Sequence, residues 1–252
     1  VCSSDLQSNT GTHIFSDEIM RFVHHNEQSF EISCRSSETV YEVLYSSQLP
    51  YLPISGIDVP FAEMFDEARR LEPLAVSHRT KEEHYGWKSL AIHGISPVHT
   101  QGAERYGMDP EDRSIYHWTD ISPMCPVTTR FFKESFHYKY FQRVRFMYLQ
   151  PGGYVMPHRD SDKFFLGPTN IALNNPEGCR FFMENVGVVP FSPGQINKLA
   201  LVNRHAVLNA SNETRIHIIV HGAPDKTFWG PLYMQSYRRW INGPIPICFL
   251  GY

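Results

Sequence analysis

The chain predicts a mainly β fold of the α+β class: a jelly roll of two facing antiparallel sheets, with helices from the N-terminal half bracing one outer face. Three observations carry this. From about residue 141 onward, short apolar runs are split at close intervals by Gly, Pro and Asn turns. Thr214-Arg215-Ile216-His217-Ile218-Ile219-Val220 alternates with the two-residue period of a strand, and its Ile216, Ile218 and Val220 face is expected to be buried between the sheets. The first half instead carries apolar positions at helical spacing.

Taken in order, Val1-Cys2-Ser3-Ser4-Asp5-Leu6 reads as a translated sequencing adaptor, so residues 1–6 are set aside and natural sequence is expected to begin near Gln7, with part of the gene missing upstream. Ser16-Asp17-Glu18 opens a capped helix over Ser16–His24. A loop-rich passage runs from Gln48 to Pro60, and a helix from Pro60 to Leu71 places Phe61, Met64, Phe65 and Ala68 on one face, with Pro60 suited to the first turn. Gly86–Gly94 reads as a strand, and Cys125-Pro126 opens a helix over Met124–Glu134. Arg143–Gln150 is a strand stopped by Pro151-Gly152-Gly153, after which Tyr154-Val155-Met156 leads into His158. Further strands fall at Thr169–Leu173, Arg180–Glu184, Lys198–Val202 and Thr214–Val220, with Asn174–Gly178 and Ser192–Gly194 as turns. The expected division is a mixed helical region over 7–140, a β core over 141–222 and a tail over 223–252.

Composition narrows the function classes. With 42% hydrophobic and 19% charged residues among 252, the chain reads as a soluble globular protein with a substantial core. A net charge of −3 without any basic block gives a nucleic-acid partner no electrostatic support. No bilayer-length apolar run or signal peptide is present, which predicts a cytoplasmic setting and no membrane partner. Cys2, Cys34, Cys125, Cys179 and Cys248 are scattered, so neither a disulfide framework nor a zinc knuckle is indicated. Asn209-Ala210-Ser211 and Asn212-Glu213-Thr214 match the glycosylation pattern but read as turn residues ahead of the Arg215 strand.

The chemistry concentrates at His158-Arg159-Asp160, His205 and Arg215. In a strand, His158 and Asp160 point to one face, and a later strand brings His205 beside them. Two imidazoles and one carboxylate on one face of an ion form the facial set of non-heme Fe(II) oxygenases, leaving the other face for a co-substrate and O₂. His-x-Asp/Glu alone is weak, since chance gives about one in a chain with 13 His and 26 acids. A second match, His25-Asn26-Glu27 with His78 downstream, lies against a helix start and has no arginine following in a strand. Arg215, ten residues beyond His205, raises the specificity. A guanidinium pointing into a barrel needs an anion, and the distal carboxylate of 2-oxoglutarate accepts two parallel charge-assisted hydrogen bonds from it. A structural Arg–Asp or Arg–Glu pair is the bland alternative.

At these residues the chain resembles the aspartyl/asparaginyl β-hydroxylase family of Fe(II)/2-oxoglutarate oxygenases, which includes free-proline cis-hydroxylases. The resemblance covers about Val144–Gly222. It rests on Tyr148–Gly153 leading to Pro157-His158-Arg159-Asp160, on Asn175–Cys179, and on His205 with Thr214–His217. It implies a double-stranded β-helix, iron held by His158, Asp160 and His205, and 2-oxoglutarate held by Arg215. Relatives often carry Arg-x-His where this chain reads Pro168-Thr169-Asn170, so Asn170 is the expected stand-in, donating its amide to a co-substrate oxygen. Asp160 sets the chain apart from the animal peptidyl-aspartyl enzymes, which lack the metal carboxylate, and argues against a halogenase.

The resulting expectation is an Fe(II)-, 2-oxoglutarate- and O₂-dependent dioxygenase that hydroxylates an amino-acid side chain, free or in a peptide, releasing succinate and CO₂. The competing class is a non-catalytic, cupin-like jelly roll that keeps a metal for binding or sensing. His217 shares the Arg215 face and is a candidate contact to the co-substrate, as Arg159 is to a substrate carboxylate at the rim. Asp162 reads as a loop residue and His221 as the end of the strand. The tail with Trp229, Tyr237, Arg238, Arg239 and Trp240 is expected to pack on the barrel rather than cover its mouth. Substrate identity and oligomeric state are not legible.

Overall fold

A computed structural model describes residues 49–79, 84–160, 166–184 and 186–242. The adaptor reading, the Ser16–His24 helix, His25 with Glu27, and Asp162 lie outside these residues. The described strands are β1 (Tyr51–Ile54), β2 (Val76–Ser77), β3 (His84–Gly94), β4 (His117–Trp118), β5 (Tyr138–His158), β6 (Thr169–Ala172), β7 (Cys179–Met183), β8 (Gly187–Val189), β9 (Ile196–Leu199), β10 (His205–Asn209) and β11 (Arg215–Pro224). The helices are α1 (Phe61–Leu71), α2 (Pro126–Glu134) and α3 (Lys226–Asn242).

The strands run antiparallel in the order β1-β9-β6-β11-β5-β10-β7-β8, with β3 added along β5, which forms a double-stranded β-helix. The turning point is β5. Its first half pairs with β11, Leu149 opposite Arg215, and its second half pairs with β10, His158 opposite His205. Pro151-Gly152-Gly153 therefore does not stop the strand, as the sequence suggested, but bends it from one sheet to the other. Gly152 takes φ 71°, and the register to β3 shifts between Tyr85 and Trp87, opposite this stretch.

Two apolar clusters lie on the two faces of the larger sheet. Phe146, Tyr148, Ile216, Ile218 and Val220 pack outward against Met64, Phe132, Trp229 and Tyr233 of the three helices. Leu149, Val155, Phe181, Leu199 and Val207 pack inward, between the sheets. The Ile216 face is thus buried beneath helices rather than between sheets, because the helices supply its apolar partner. Each such side chain contributes about 1.5–3 kcal/mol on burial.

The helices are tied by polar contacts as well. α2 has no side-chain cap of its own, and Glu67 of α1 serves instead, accepting from Val127 N (2.8 Å), Thr128 N (2.9 Å) and Thr128 Oγ1 (2.7 Å). α3 packs on the barrel as expected for the tail, with Trp229 fully buried and its Nε1 donating to Phe136 O at 2.9 Å. β1 lies within the passage read as loop. Its Leu52-Pro53-Ile54 has no turn-free strand signal by itself and is held by pairing to β9.

Candidate metal centre and co-substrate pocket

His158 ends β5, Asp160 follows two residues later, and His205 opens β10 directly across the ladder. Each imidazole is oriented by its own backbone: His158 Nδ1 donates to Met156 O at 2.8 Å, and His205 Nδ1 donates to Asn203 O at 3.0 Å. A carbonyl can only accept, so each neutral ring keeps its lone pair on Nε2, the tautomer a metal requires. Asp160 is anchored by its own N–H, which donates to Leu201 O at 3.1 Å. Its Oδ1 lies 3.2 Å from His158 Nε2 and its Oδ2 lies 4.0 Å from His205 Nε2. One donor atom from each of the three residues falls within 4.8 Å of the others, close enough to share a single ion.

Electrostatics fit that use. The Asp160 hydrogen bond raises the His158 pKa against burial, and burial lowers that of His205. Burial pushes the Asp160 carboxyl up, but its bond to His158 and the charge of both imidazoles outweigh this and leave it below the ordinary carboxylate range.

The three residues open onto a cavity between the sheets, which Arg215, His217 and Asn170 also line. Arg215 is 7% exposed and lies beneath the Phe191 ring at 5.5 Å, with no carboxylate paired to it among the described residues. Burial lowers its pKa to about 10, so it stays cationic at neutral pH. Its Nε and the Nε2 of His217 are buried without a partner. His217 Nδ1 is 3.1 Å from Arg215 Nη2 and 2.6 Å from Asn170 Oδ1, and burial together with Arg215 keeps the ring neutral. A neutral ring carries one proton. Asn170 Oδ1 can only accept, so that proton sits on Nδ1 and is donated to it, which leaves Nε2 with a lone pair.

Arg159 does not enter the cavity. Its Nη2 bonds Glu184 Oε2 at 2.8 Å on the exposed side of β7. His221 faces inward two residues beyond Ile219 rather than closing the strand end. The sequence reading also passed over the apolar lining, chiefly Trp87, Met147 and Phe181. Counting back by two from Leu149 along β5 marks Met147 and then Arg145 as inward residues.

A family model described as aspartyl/asparaginyl beta-hydroxylase matches residues 60–223. The chain belongs to that family. With the two-histidine, one-carboxylate set in place, this family member is an Fe(II)- and 2-oxoglutarate-dependent dioxygenase. No curated protein matches the sequence. Among solved structures, a Pseudomonas putida prolyl-4-hydroxylase is 16% identical, covering 75% of this chain and 100% of its own, at TM-score 0.41. A Trichoplax adhaerens prolyl hydroxylase in complex with a hypoxia inducible factor peptide is 13% identical, covering 86% and 94%, at TM-score 0.44. A Burkholderia pseudomallei oxidoreductase of the 2OG-Fe(II) oxygenase family is 14% identical, covering 76% and 93%, at TM-score 0.40. No helix among the described residues is long and apolar enough to cross a membrane.

Proposed function

We propose that this family member hydroxylates an amino-acid side chain, free or within a peptide, with His158, Asp160 and His205 as the iron ligands and Arg215 as the anchor for 2-oxoglutarate. The observation that carries this reading is the buried Arg215 guanidinium, which keeps an unpartnered Nε–H and lines the same cavity as the three ligands. Ferrous iron and 2-oxoglutarate together activate O₂ for insertion into a C–H bond, leaving succinate and CO₂.

The chain's own work is positioning. Met156 O and Asn203 O fix the two imidazoles before a metal arrives, which reduces the ordering cost of binding it. Arg215 neutralises one carboxylate of the co-substrate, and Asn170 Oδ1, accepting from His217 Nδ1, holds that ring beside the guanidinium. Trp87, Met147 and Phe181 exclude water around the reacting C–H. A non-catalytic jelly roll has no use for a buried, carboxylate-free guanidinium beside its metal.

The test is anaerobic titration of the Fe(II)-loaded chain with 2-oxoglutarate, followed by air and a panel of free amino acids and peptides. The expected results are a weak visible charge-transfer band, then succinate and a product heavier by one oxygen. Asp160→Ala should abolish band and succinate together. Succinate formation that survives this substitution would remove the ligand assignment.

A further inference from the structure

The strands that carry the two histidine ligands have a second face, and it is apolar. Side chains alternate along a strand, so while Val155, Val207, Phe181 and Val189 pack inward, their neighbours Tyr154, Met156, Leu208, Phe182 and Val188 point outward. Register places these in two rows across the sheet. Tyr85, Tyr154, Leu208 and Arg180 face one another in turn on β3, β5, β10 and β7. Ala206, Phe182 and Val188 do the same on β10, β7 and β8, with Met156 opposite Ala206 across the bulge between His205 and Val207.

Tyr85 is 62% exposed and Met156 49%, and five of the ten large exposed apolar side chains among the described residues lie on this one face. The three described helices pack on the other sheet and leave it open. Continuous exposed apolar strips of this kind mark contact sites. Five strands at about 4.8 Å spacing make the strip about 20 Å long, and two rows make it little wider than one helix. A stable dimer buries about 800 Å² on each partner, more than so narrow a strip offers, whereas one short segment of chain covers it.

Such a segment belongs to this chain. Residues 7–48 precede the described residues and carry six acidic side chains against Arg21 and Arg35, hence a net charge of −4 in a chain whose total is −3. The outer face has the opposite sign: Arg180 stands exposed among its apolar side chains, and no acid lies in either row. The helix that the sequence predicts over Ser16–His24 puts Ile19, Phe22 and Val23 on one side, an apolar stripe that needs a partner. The chain also enters the barrel at the right end. Pro50 O accepts from Ala200 N at 2.8 Å, and the next residue, Leu201, accepts from Asp160 N, so the described chain begins at the ligand end, where β10 starts beside the end of β5. Ten extended residues reach about 33 Å from there, further than the strip is long.

We propose that the acidic segment 7–48 docks on the outer face of β3, β5, β10, β7 and β8, its apolar side chains against Tyr154, Met156, Leu208 and Phe182 and its carboxylates beside Arg180. The contact backs the two strands that end and begin at His158 and His205. It lies outside the cavity, so neither iron nor 2-oxoglutarate is needed to test it.

The experiment uses the full chain, with a photoreactive benzoylphenylalanine in place of Leu208 and, as a control on the helix side, in place of the exposed Leu74. Chains carrying ordinary and heavy nitrogen are mixed, irradiated, digested and read by mass spectrometry. From position 208 the principal cross-linked peptide should come from residues 7–48 and share its isotope with its partner, which marks it as the same chain. Position 74 should not give it. Arg180→Glu or Phe182→Glu, both at exposed positions, should lower the yield about fivefold and speed tryptic cleavage after Arg21 and Arg35 by a similar factor. Cross-links that pair light with heavy chains assign the face to a second copy and overturn the proposal. It is equally overturned if position 208 captures no segment of the chain, if position 74 captures 7–48 as well, or if cleavage after Arg21 and Arg35 is equally fast in the unsubstituted and substituted proteins.

Discussion

At Arg215 the decisive property is that a buried cation has an aromatic ring and a neutral imidazole for neighbours but, among the described residues, no carboxylate. Arg215→Gln removes the charge and keeps a donor, so KM for 2-oxoglutarate should rise on the order of 10–100-fold while iron affinity stays unchanged, read by titration of each ligand separately. Arg215→Lys should recover little, because one ammonium does not reproduce the two-pronged fork. An unchanged KM in both variants would mean the guanidinium only braces the sheet. His217→Phe keeps the ring volume against Phe191 and deletes the Nδ1–H bond to Asn170 that holds the ring beside Arg215, and should weaken 2-oxoglutarate several-fold without lowering the melting temperature by more than a few degrees. At this scale the sequence was most legible. His158, Asp160, His205 and Arg215 follow from strand period and charge logic alone. Arg159 was harder, because its neighbour Glu184 is 25 residues away in sequence and pairing between exposed strand ends leaves no local signal.

Among the elements, β5 and the β10–β11 turn set the position of the centre. β5 carries both the cavity floor and the His158 ligand, so the bend at Gly152-Gly153 fixes their relation. A Cβ on Gly153 would lie 2.7 Å from Gln150 O and 2.9 Å from Tyr85 O, both backbone atoms that cannot swing aside. Gly153→Ala should therefore destabilise the chain by about 1–3 kcal/mol and weaken iron binding more than Gly152→Ala, whose Cβ meets nothing within 4 Å despite its positive φ. Asn209 closes the other side: its Nδ2 reaches Leu149 O (2.8 Å), Gln150 O (3.1 Å) and Glu213 O (2.8 Å), while its Oδ1 accepts from Ser211 N at 3.0 Å. It is a turn organiser, as its place before the Arg215 strand suggested, and fully buried. The bend in β5 was not legible because Pro-Gly-Gly has the same composition whether it ends a strand or kinks one. The choice is made by β3 pairing across both halves. β1 was hidden for a related reason, since a four-residue strand gains its stability from β9 and not from its own pattern.

For the whole molecule, histidine burial sets an acid limit that follows from linkage. His78 is held down to about 2 by burial and by Arg145 and Arg79, His93 to about 4 by burial, and His217 is lowered well below its ordinary value by burial and Arg215. The unfolded chain protonates all three near pH 6.5, whereas the folded chain leaves them neutral. As pH falls from 7.5 to 5 the unfolded state gains protons that the folded state does not, so stability drops, by on the order of 1–2 kcal/mol for each histidine. His158 acts in the opposite sense. Its raised pKa adds stability that is full below the unfolded value and lost as pH rises through the folded one, but it is one group against these three and against His205 and His221, which burial also lowers. Carboxylates with lowered pKa, such as Asp160, are affected mainly below this window. In metal-free protein the melting temperature should fall by about 10 °C between pH 7.5 and 5. His78→Gln, which keeps a neutral hydrogen-bonding group beside Ser89 and Thr100, should flatten the slope by roughly a fifth. With Fe(II) and 2-oxoglutarate present the slope should steepen, because metal binding requires the deprotonated His158 and its stabilisation fades as acid competes for Nε2. A melting temperature level across this range, with and without ligands, would mean that the folded chain opens these sites to water before it unfolds.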